Sequence, residues 1–336
     1  MAQVEVQTVP VTPGFNSIKP IIRETLGGPS TKLSLVAFDA EKHLAYTEDP
    51  KRLSTKDLGL PEDVGISPVA VSEPFPLFTE EAIRIMRSEI FANEVWENCL
   101  HSTEFASCQL RGHCPKYAPF MYDAWKDPKT LSIVSKIAGV DLIPVIDIEI
   151  GNINVSVQDP GEDKGKVTNQ SDDDIPITKW HNDSYPFVCV VMMSDASKMV
   201  GGETALRSGS GEILKVRGPQ MGCAVVLQGR CISHQALAAA GGVERITMVT
   251  AFRPRNPLVP DSSVLTTIRP ISESSELYFQ WTEYRMEVLQ ERLRRMLKVL
   301  EEQHRANKPT DIKKIKKFLQ QQEEWIAGTN REIVEP

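Results

Sequence analysis

Three apolar runs in the middle of the chain predict the core strands of a β-sheet. Residues 187–193 (FVCVVMM) and 223–227 (CAVVL) are apolar throughout and rich in β-branched side chains, and residues 246–252 form a third run. Upstream, polar and apolar positions alternate from 142 to 150, which predicts a strand with one polar face, and residues 153–157 extend it. The pattern therefore predicts mainly β structure across this region.

Helical patterns precede these runs. A helix is predicted from Thr79, an N-cap residue followed by two glutamates, to about Cys99. Another is predicted from its cap Asp127, with a proline as its first residue, to Gly139. Both helices are expected to serve as scaffold.

Two amphipathic helices are predicted near the C-terminus. Apolar residues recur at helical spacing from Trp281 to Leu300, and again from Ile312 to Ile326 after Pro309. We expect both helices to pack on the outside of the β core, and a homodimer contact through them is the alternative.

Three segments are predicted to be irregular. Residues 1–78 contain only short extended pieces, at 33–38 and 69–71. Residues 106–122 mix turn residues with Gln, Arg and Tyr, which is typical of a loop at the mouth of a barrel. Residues 158–176 carry glycines and an acidic run with few apolar anchors, which predicts either a mobile lid or a surface insertion.

Composition favours one large domain without a nucleic-acid or membrane partner. The 336 residues are 41% hydrophobic, which is enough to form a full core. A net charge of −7 without a basic stripe argues against nucleic-acid binding. No stretch has the pattern of a signal peptide or a membrane span, so we expect a cytoplasmic protein. The six cysteines form no repeating framework, which favours reduced thiols.

The candidate chemistry lies at the start of the first apolar run. His181 and Asp183 are two residues apart on an extended segment, so their side chains point to the same side. His234 follows the second run. Two imidazoles and one carboxylate can hold a ferrous iron while leaving its opposite positions open. About 0.8 His-x-acid pairs are expected by chance in a chain of this composition. The His181-x-Asp183 pair alone is therefore weak evidence for a metal site, and neighbouring motifs have to support it.

Two further elements supply that context. His181-x-Asp183 is followed by the Gly-Gly-Glu-Thr element that ends at Thr204, then by His234, and then by Arg245, 11 residues later. In this order the residues resemble the Fe(II)/2-oxoglutarate-dependent dioxygenase superfamily, with the motif pattern of its taurine-dioxygenase-like branch. The chain also resembles fungal biosynthetic non-haem iron oxygenases.

The resemblance implies a double-stranded β-helix, the cupin-like jelly roll, over about residues 142–256. It implies Fe(II) held by His181, Asp183 and His234, with 2-oxoglutarate as cosubstrate and O2 as oxidant. Arg245 would pair bidentately with the remote carboxylate of 2-oxoglutarate. A hydroxyl would assist, and Thr204 and Thr247 both fit that role.

The implied reaction is the oxidation of a small molecule with release of succinate and CO2. Hydroxylation, desaturation and ring closure all remain open, and an amino acid of specialised metabolism is one option for the substrate. The intact Asp183 argues against halogenation, because the halogenases of the superfamily have a small residue there. The alternatives are a protein or nucleic-acid hydroxylase or demethylase, and a non-catalytic jelly-roll binding protein.

Five polar residues are candidates for contacting the substrate. These are Arg111, Gln109, Asn152, Asn154 and Tyr185.

A separate group of cysteines and histidines is a candidate zinc site. No pair within it has the Cys-x-x-Cys spacing that structural zinc sites favour, so a structural role is preferred. The group comprises Cys99, His101, Cys108, His113 and Cys114.

These expectations combine into a layout of one catalytic domain, residues 1–273, and a helical extension, residues 274–336. Within the domain, an irregular region (1–78) and helical decoration (79–139) precede the jelly-roll core. The predicted fold class is mainly β with flanking α-helices.

Overall fold

The computed structural model describes residues 36–61, 63–102, 108–157, 178–216, 220–237, 239–240 and 244–335. Its strands, in chain order, are β1 (Arg52–Ser54), β2 (Val69–Ser72), β3 (Phe75–Pro76), β4 (Leu100–His101), β5 (Gln109–Leu110), β6 (Leu142–Pro144), β7 (Asn152–Val157), β8 (Phe187–Met192), β9 (Val200–Gly201), β10 (Thr204–Arg207), β11 (Ile213–Val216), β12 (Cys223–Leu227), β13 (His234–Ala236), β14 (Ala239–Ala240) and β15 (Glu244–Pro254). Its helices are α1 (Ala40–His43), α2 (Glu80–Ile90), α3 (Asn93–Asn98), α4 (Pro119–Lys126), α5 (Pro128–Ala138), α6 (Ser274–Arg305) and α7 (Ile312–Glu332).

The strands form a large and a small antiparallel sheet. The large sheet has the order β1-β2-β12-β8-β15-β7-β5-β4, with β3 added on β12 and β6 on β15. The small sheet has the order β11-β10-β13, and β14 pairs with β9. This arrangement, with helices at both ends of the chain, confirms the predicted mainly β jelly-roll fold.

The two faces of the large sheet have different roles. Ile246, Met248 and Val191 belong to the main hydrophobic core, which α2, α4 and α5 cover. The residues that alternate with them point to the opposite face, which includes the half-buried Val190 and Val249. The three apolar runs of the sequence are therefore buried in the main core on one face and pack against a second core cluster on the other.

Several predicted elements are confirmed. β2 covers the expected extended piece at 69–71. α5 begins after Asp127, whose carboxylate accepts from two backbone N–H groups, and ends at Gly139 in the left-handed conformation (φ 70°). α6 and α7 are the predicted C-terminal helices, and one face of the pair packs on a second core cluster through Trp281 and Trp325.

The strand predicted over 142–150 is wrong beyond Pro144. Asp147–Glu149 forms a 3-10 turn, and Gly151 then adopts a positive φ of 69° before β7 begins. The polar positions of this stretch do not form a solvent-exposed sheet face. The side chain of Glu149, for example, is buried in a polar network.

The single helix predicted over 79–99 is two helices. Ala92 leaves helical geometry (φ −60°, ψ 146°) between α2 and α3. The chain turns there, so that Val95 and Trp96 of α3 are buried as well as the apolar face of α2.

The loop predicted over 106–122 is partly regular. It contains β5, and Pro119 is the first residue of α4 rather than a turn residue, because a proline at this position forfeits no helical hydrogen bond. Residues 106–107, the extended piece at 33–35 and the predicted lid at 158–176 lie outside the described residues. In the part of the chain that is described, no helix combines the length and apolar character needed to cross a bilayer.

Glu89 links α2 to α4. Its two carboxylate oxygens accept hydrogen bonds from the backbone N–H groups of Phe120 (2.8 Å) and Met121 (3.0 Å). Burial outweighs these donors and raises the pKa of Glu89 to about 7. The carboxyl group therefore changes its charge near neutral pH.

We expect Glu89→Gln to gain stability relative to the wild type as the pH rises. Because the pKa of Glu89 is higher in the folded protein, its stabilising effect is complete below the unfolded pKa of 4.5 and is lost as the pH rises towards 7. Glutamine does not ionise, so the difference in the free energy of unfolding should move in favour of the variant by up to about 3 kcal/mol. Urea unfolding at pH 5 and pH 8 measures the change, and a difference independent of pH would contradict it.

Candidate metal centre

Backbone pairing brings the two histidines together. The N–H of His181 donates to the carbonyl of His234 (3.0 Å), and the N–H of His234 donates to the carbonyl of His181 (2.9 Å). This antiparallel bridge places the imidazole rings side by side, with centroids 4.4 Å apart. Asp183 N–H donates to the carbonyl of Gly229 (2.9 Å), which continues the pairing. The two sequence segments are therefore held as neighbouring strands.

The three predicted ligands converge on one point. Asp183 Oδ1 lies 3.8 Å from His181 Nε2 and 3.5 Å from His234 Nε2. One nitrogen or oxygen of each residue lies within 4.8 Å of the others, and this is the one such group of three or more among the described residues. The Cys99 to Cys114 region forms no comparable group in the part that is described.

Both imidazoles are oriented for metal binding by their second nitrogen. His181 Nδ1 lies 2.8 Å from the carbonyl of Lys179, and His234 Nδ1 lies 2.9 Å from the carbonyl of Ile232. A carbonyl only accepts, so each Nδ1 carries a proton, which leaves each Nε2 as the ring nitrogen that can bind a metal. Metal-binding histidines are fixed in this way in known sites. The donor set of two neutral nitrogens and one carboxylate oxygen fits a ferrous ion.

Charge within the site is balanced around Asp183. Burial favours the neutral acid, but His234 and His181 outweigh burial and hold the pKa of Asp183 below its usual value. Burial also opposes protonation of His234, and the adjacent carboxylate overcomes it, so the pKa of His234 is raised. His181 is the exception, because burial and the neighbouring His234 lower its pKa. The carboxylate is therefore ionised and available as a ligand.

A glycine makes room for the carboxylate. A Cβ atom built on Gly229 would overlap Asp183 Oδ2, which is buried and has no hydrogen-bond partner in the described chain. The neighbouring Gln228 is buried and bonds to Ile66 N, Ser67 O and Val69 O, which ties the end of β12 to the N-terminal segment.

The predicted cosubstrate arginine lies beside the Gly-Gly-Glu-Thr element. Arg245 on β15 is buried, and its Nη2 donates weakly to the carbonyl of Gly202 (3.4 Å), while its Nε has no partner in the described chain. Burial lowers the pKa of Arg245. The hydrogen bond to Gly202 thus joins Arg245 to the Gly-Gly-Glu-Thr element, whose threonine begins β10. Its free Nε leaves hydrogen-bonding capacity for an anionic ligand.

The two candidate threonines lie on different sheets. Thr204 pairs with Ala236 and Leu206 pairs with His234, so Thr204 shares a face of the small sheet with His234. Thr247 is buried two residues after Arg245 on β15, so both side chains point to the same face of the large sheet.

Four of the five predicted substrate residues belong to two hydrogen-bonded groups, one a pair and the other a group of three that includes Glu149. Gln109 Nε2 donates to Asn154 Oδ1 (2.6 Å) across β5 and β7. Arg111 forms a buried ion pair with Glu149, and Asn152 Nδ2 donates to the second oxygen of Glu149 (2.9 Å). Burial raises the pKa of Glu149, although Arg111 opposes that shift. Glu149 was missed by sequence analysis, and its only signal was its place in the alternating stretch at 142–150.

Tyr185, the fifth predicted substrate residue, is buried. Its hydroxyl has no hydrogen-bond partner in the described chain, and burial raises its pKa well above the usual value.

The strand register divides the inner face of the large sheet into an apolar and a polar part. Val225, Val190 and Val249 lie side by side on β12, β8 and β15, and Asn152 follows them on β7. All three valines are half-buried, so they border open space. The next row along the strands ends in Asn154 and Gln109. A ligand between the sheets would meet an apolar surface on one side and amide groups on the other.

Comparison with known proteins gives a limited result. No protein-family model matches the chain, and no curated protein matches it. A 2OG-Fe(II) oxygenase family oxidoreductase from Burkholderia pseudomallei is 15% identical, over 43% of this chain and 65% of that one, with a TM-score of 0.32. A prolyl-4-hydroxylase from Pseudomonas putida is 16% identical, over 60% of this chain and 97% of that one, with a TM-score of 0.34. AviO1 from Streptomyces viridochromogenes Tue57 is 13% identical, over 64% and 99%, with a TM-score of 0.39.

This chain therefore spans slightly less than two thirds of the Burkholderia structure. Because every one of these TM-scores is below 0.5, the function is inferred from the residues of the site itself. Those residues are two oriented imidazoles, one ionised carboxylate and a buried arginine with an unpartnered nitrogen.

Proposed function

We propose that this protein is an Fe(II)/2-oxoglutarate-dependent oxygenase that oxidises a small molecule. The observation that carries the proposal is the convergence of His181, Asp183 and His234 with both Nδ1 atoms committed to backbone carbonyls. In both residues Nε2, the nitrogen left to bind a metal, faces the carboxylate of Asp183. The arrangement leaves the remaining coordination positions of a metal to other ligands.

Each residue has a distinct task in this proposal. His181, Asp183 and His234 would hold the iron, which supplies oxidation of the substrate by O2 coupled to decarboxylation of 2-oxoglutarate to succinate and CO2. Arg245 would hold the remote carboxylate of 2-oxoglutarate, since a planar guanidinium donates two parallel hydrogen bonds to a carboxylate. The hydroxyl of Thr204 or Thr247 would donate a further hydrogen bond to the same group.

The inner face of the large sheet supports a small substrate with one polar end. Val225, Val190 and Val249 would contact its apolar part, while the amides of Asn154 and Gln109 would bind its polar groups. The buried ion pair between Arg111 and Glu149 adds opposite charges at the polar edge. This combination fits an amino acid or a similar compound that is oxidised at carbon by hydroxylation, desaturation or ring closure.

Spectroscopy under anaerobic conditions tests the proposal. Adding Fe(II) and 2-oxoglutarate to the wild type should produce a weak visible charge-transfer band, and His234→Ala should abolish it because one ligand is lost. His304→Ala removes an exposed histidine of α6 and should leave the band unchanged. Absence of a band in the wild type, or an undiminished band in His234→Ala, would rule the proposal out.

The substrate is then sought by stimulation of turnover. With iron and 2-oxoglutarate present, succinate release is measured against amino acids and small carboxylates. Stimulation by a peptide or an oligonucleotide alone would overturn the small-molecule assignment while leaving the metal and cosubstrate sites in place.

A further inference from the structure

The hairpin of α6 and α7 extends beyond the protein core. In α6 no residue after Arg292 is buried, and in α7 the first buried residue is Phe318. Residues 293–317 therefore form a tip that the described chain does not cover, while residues 273–292 and 318–335 form a base that packs on the core. The tip is nevertheless rich in apolar residues, and Leu297 and Ile312 are 57% and 68% exposed.

Exposed apolar residues follow each helix of the hairpin at intervals of seven. The first three positions of this pattern lie on α6 and the other three on α7, and all are at least 46% exposed. They are Phe279, Met286, Leu293, Ile312, Leu319 and Ile326. A seven-residue repeat keeps side chains on one narrow stripe of a helix and is the pattern of helices that pack along their length.

Both stripes lie on the outer side of the hairpin. At 100° per residue, Phe279 is opposite Val288, whose side chain packs into the core. On α7, Leu319 and Ile326 lie beside the face that carries Trp325, which packs on α6. Because the helices are antiparallel neighbours, the two stripes turn to the same side, away from the core. Together they form a two-helix apolar face that exceeds the scattered apolar side chains of an ordinary surface.

Charge is distributed unevenly along the same hairpin. The tip (293–317) contains nine lysines and arginines and three acidic residues, a net charge of +6. The base (273–292 and 318–335) contains three arginines and nine acidic residues, a net charge of −6. The hairpin therefore has opposite charges at its two ends, and the apolar face runs through both the tip and the base.

We propose that this face is the dimer interface of the protein, occupied by the hairpin of a second copy of this chain in antiparallel orientation. A two-fold axis then places the basic tip of one copy against the acidic base of the other, while the apolar stripes of four helices meet between them. The seven-residue spacing on both helices suits the shallow crossing angle of a four-helix bundle. An anionic membrane fits less well, because the stripe continues into the acidic base.

The inference is independent of the proposed function, and sedimentation equilibrium tests it. The wild type should be a dimer at micromolar concentration, and Leu293→Glu/Leu297→Glu should weaken the dimer by about 100-fold or more, since it buries two charges in the interface. Both side chains are exposed in the single chain, so thermal stability of the monomer should not fall. Ile213→Glu is the matched control, because Ile213 is 47% exposed on β11, and this variant should remain a dimer.

Charge reversal tests the orientation. Lys313→Glu/Lys314→Glu at the tip, or Glu283→Lys/Glu287→Lys at the base, should each weaken the dimer of the wild type. An equal mixture of the two variants should dimerise more strongly than either variant alone, because the altered tip of one chain meets the altered base of the other. A parallel pairing, which brings like charges together, predicts instead that each variant strengthens the dimer.

Three results would overturn the inference. The first is a wild type that remains monomeric at 100 µM. The second is a dimer unaffected by Leu293→Glu/Leu297→Glu. The third is a monomer that binds phosphatidylserine vesicles through the tip, which would assign the face to a membrane surface instead.

Discussion

Gly229→Ala is expected to weaken binding of Fe(II) at the His181, Asp183 and His234 site. The new Cβ would occupy the position of Asp183 Oδ2, so the carboxylate would have to leave the position in which it faces both Nε2 atoms. Loss of a ligand from a three-residue site should lower the affinity by about 100-fold or more. Anaerobic titration with Fe(II) in the presence of 2-oxoglutarate, followed by the visible band, measures the loss.

The control for this variant is Gly328→Ala. Gly328 lies in α7, where an added Cβ would meet its nearest neighbour, Arg285 Nη2, at 3.8 Å, an ordinary contact. That variant should bind iron as the wild type does. Gly229→Ala should remain folded by circular dichroism, and wild-type affinity in a folded Gly229→Ala would mean that Asp183 is not an iron ligand.

Arg245→Gln is expected to weaken binding of 2-oxoglutarate to the iron-loaded protein by about 100-fold or more. Two charge-assisted hydrogen bonds to the cosubstrate carboxylate would be lost, and each contributes about 1.5 to 3 kcal/mol. Arg245→Lys keeps the charge but not the planar pair of donors, so it should give an intermediate affinity. The midpoint of a 2-oxoglutarate titration, read from the same visible band, provides the measurement.

Arg253→Gln serves as the matched control. Arg253 is another buried arginine of β15, but it lies at the far end of the strand against Tyr284. Its loss should lower stability and leave the titration midpoint unchanged. An unchanged midpoint in Arg245→Gln would place the cosubstrate elsewhere. Comparing Thr204→Ala with Thr247→Ala in the same titration identifies which hydroxyl assists.

The grouping of the three proposed iron ligands could be predicted because their signal is local and ordered. His181 and Asp183 are separated by one residue on an extended segment, and His234 ends the connection after the next core strand, so chain order alone places them together. The C-terminal helices were predictable for a similar reason, since their periodicity extends over many turns.

The errors arose where distant residues decide the outcome. The role of Glu149 depends on Arg111, 38 residues earlier, and the role of Gly229 depends on Asp183, which precedes it by 46 residues. Pro119 is compatible with both a turn and a helix start, and the packing of α4 against the sheet selects the helix. Periodicity within a short window contains none of this information.

The reciprocal backbone hydrogen bonds between His181 and His234 couple the affinity for the metal to the alignment of the two segments. A slip of one residue between these segments would turn an imidazole to the opposite side of the sheet and dismantle the ligand set. Conversely, an ion that binds both rings stabilises the aligned pairing relative to every misaligned one, because it binds only the aligned form. Iron supplied during folding would therefore stabilise the correctly aligned pairing with the small sheet before any turnover takes place.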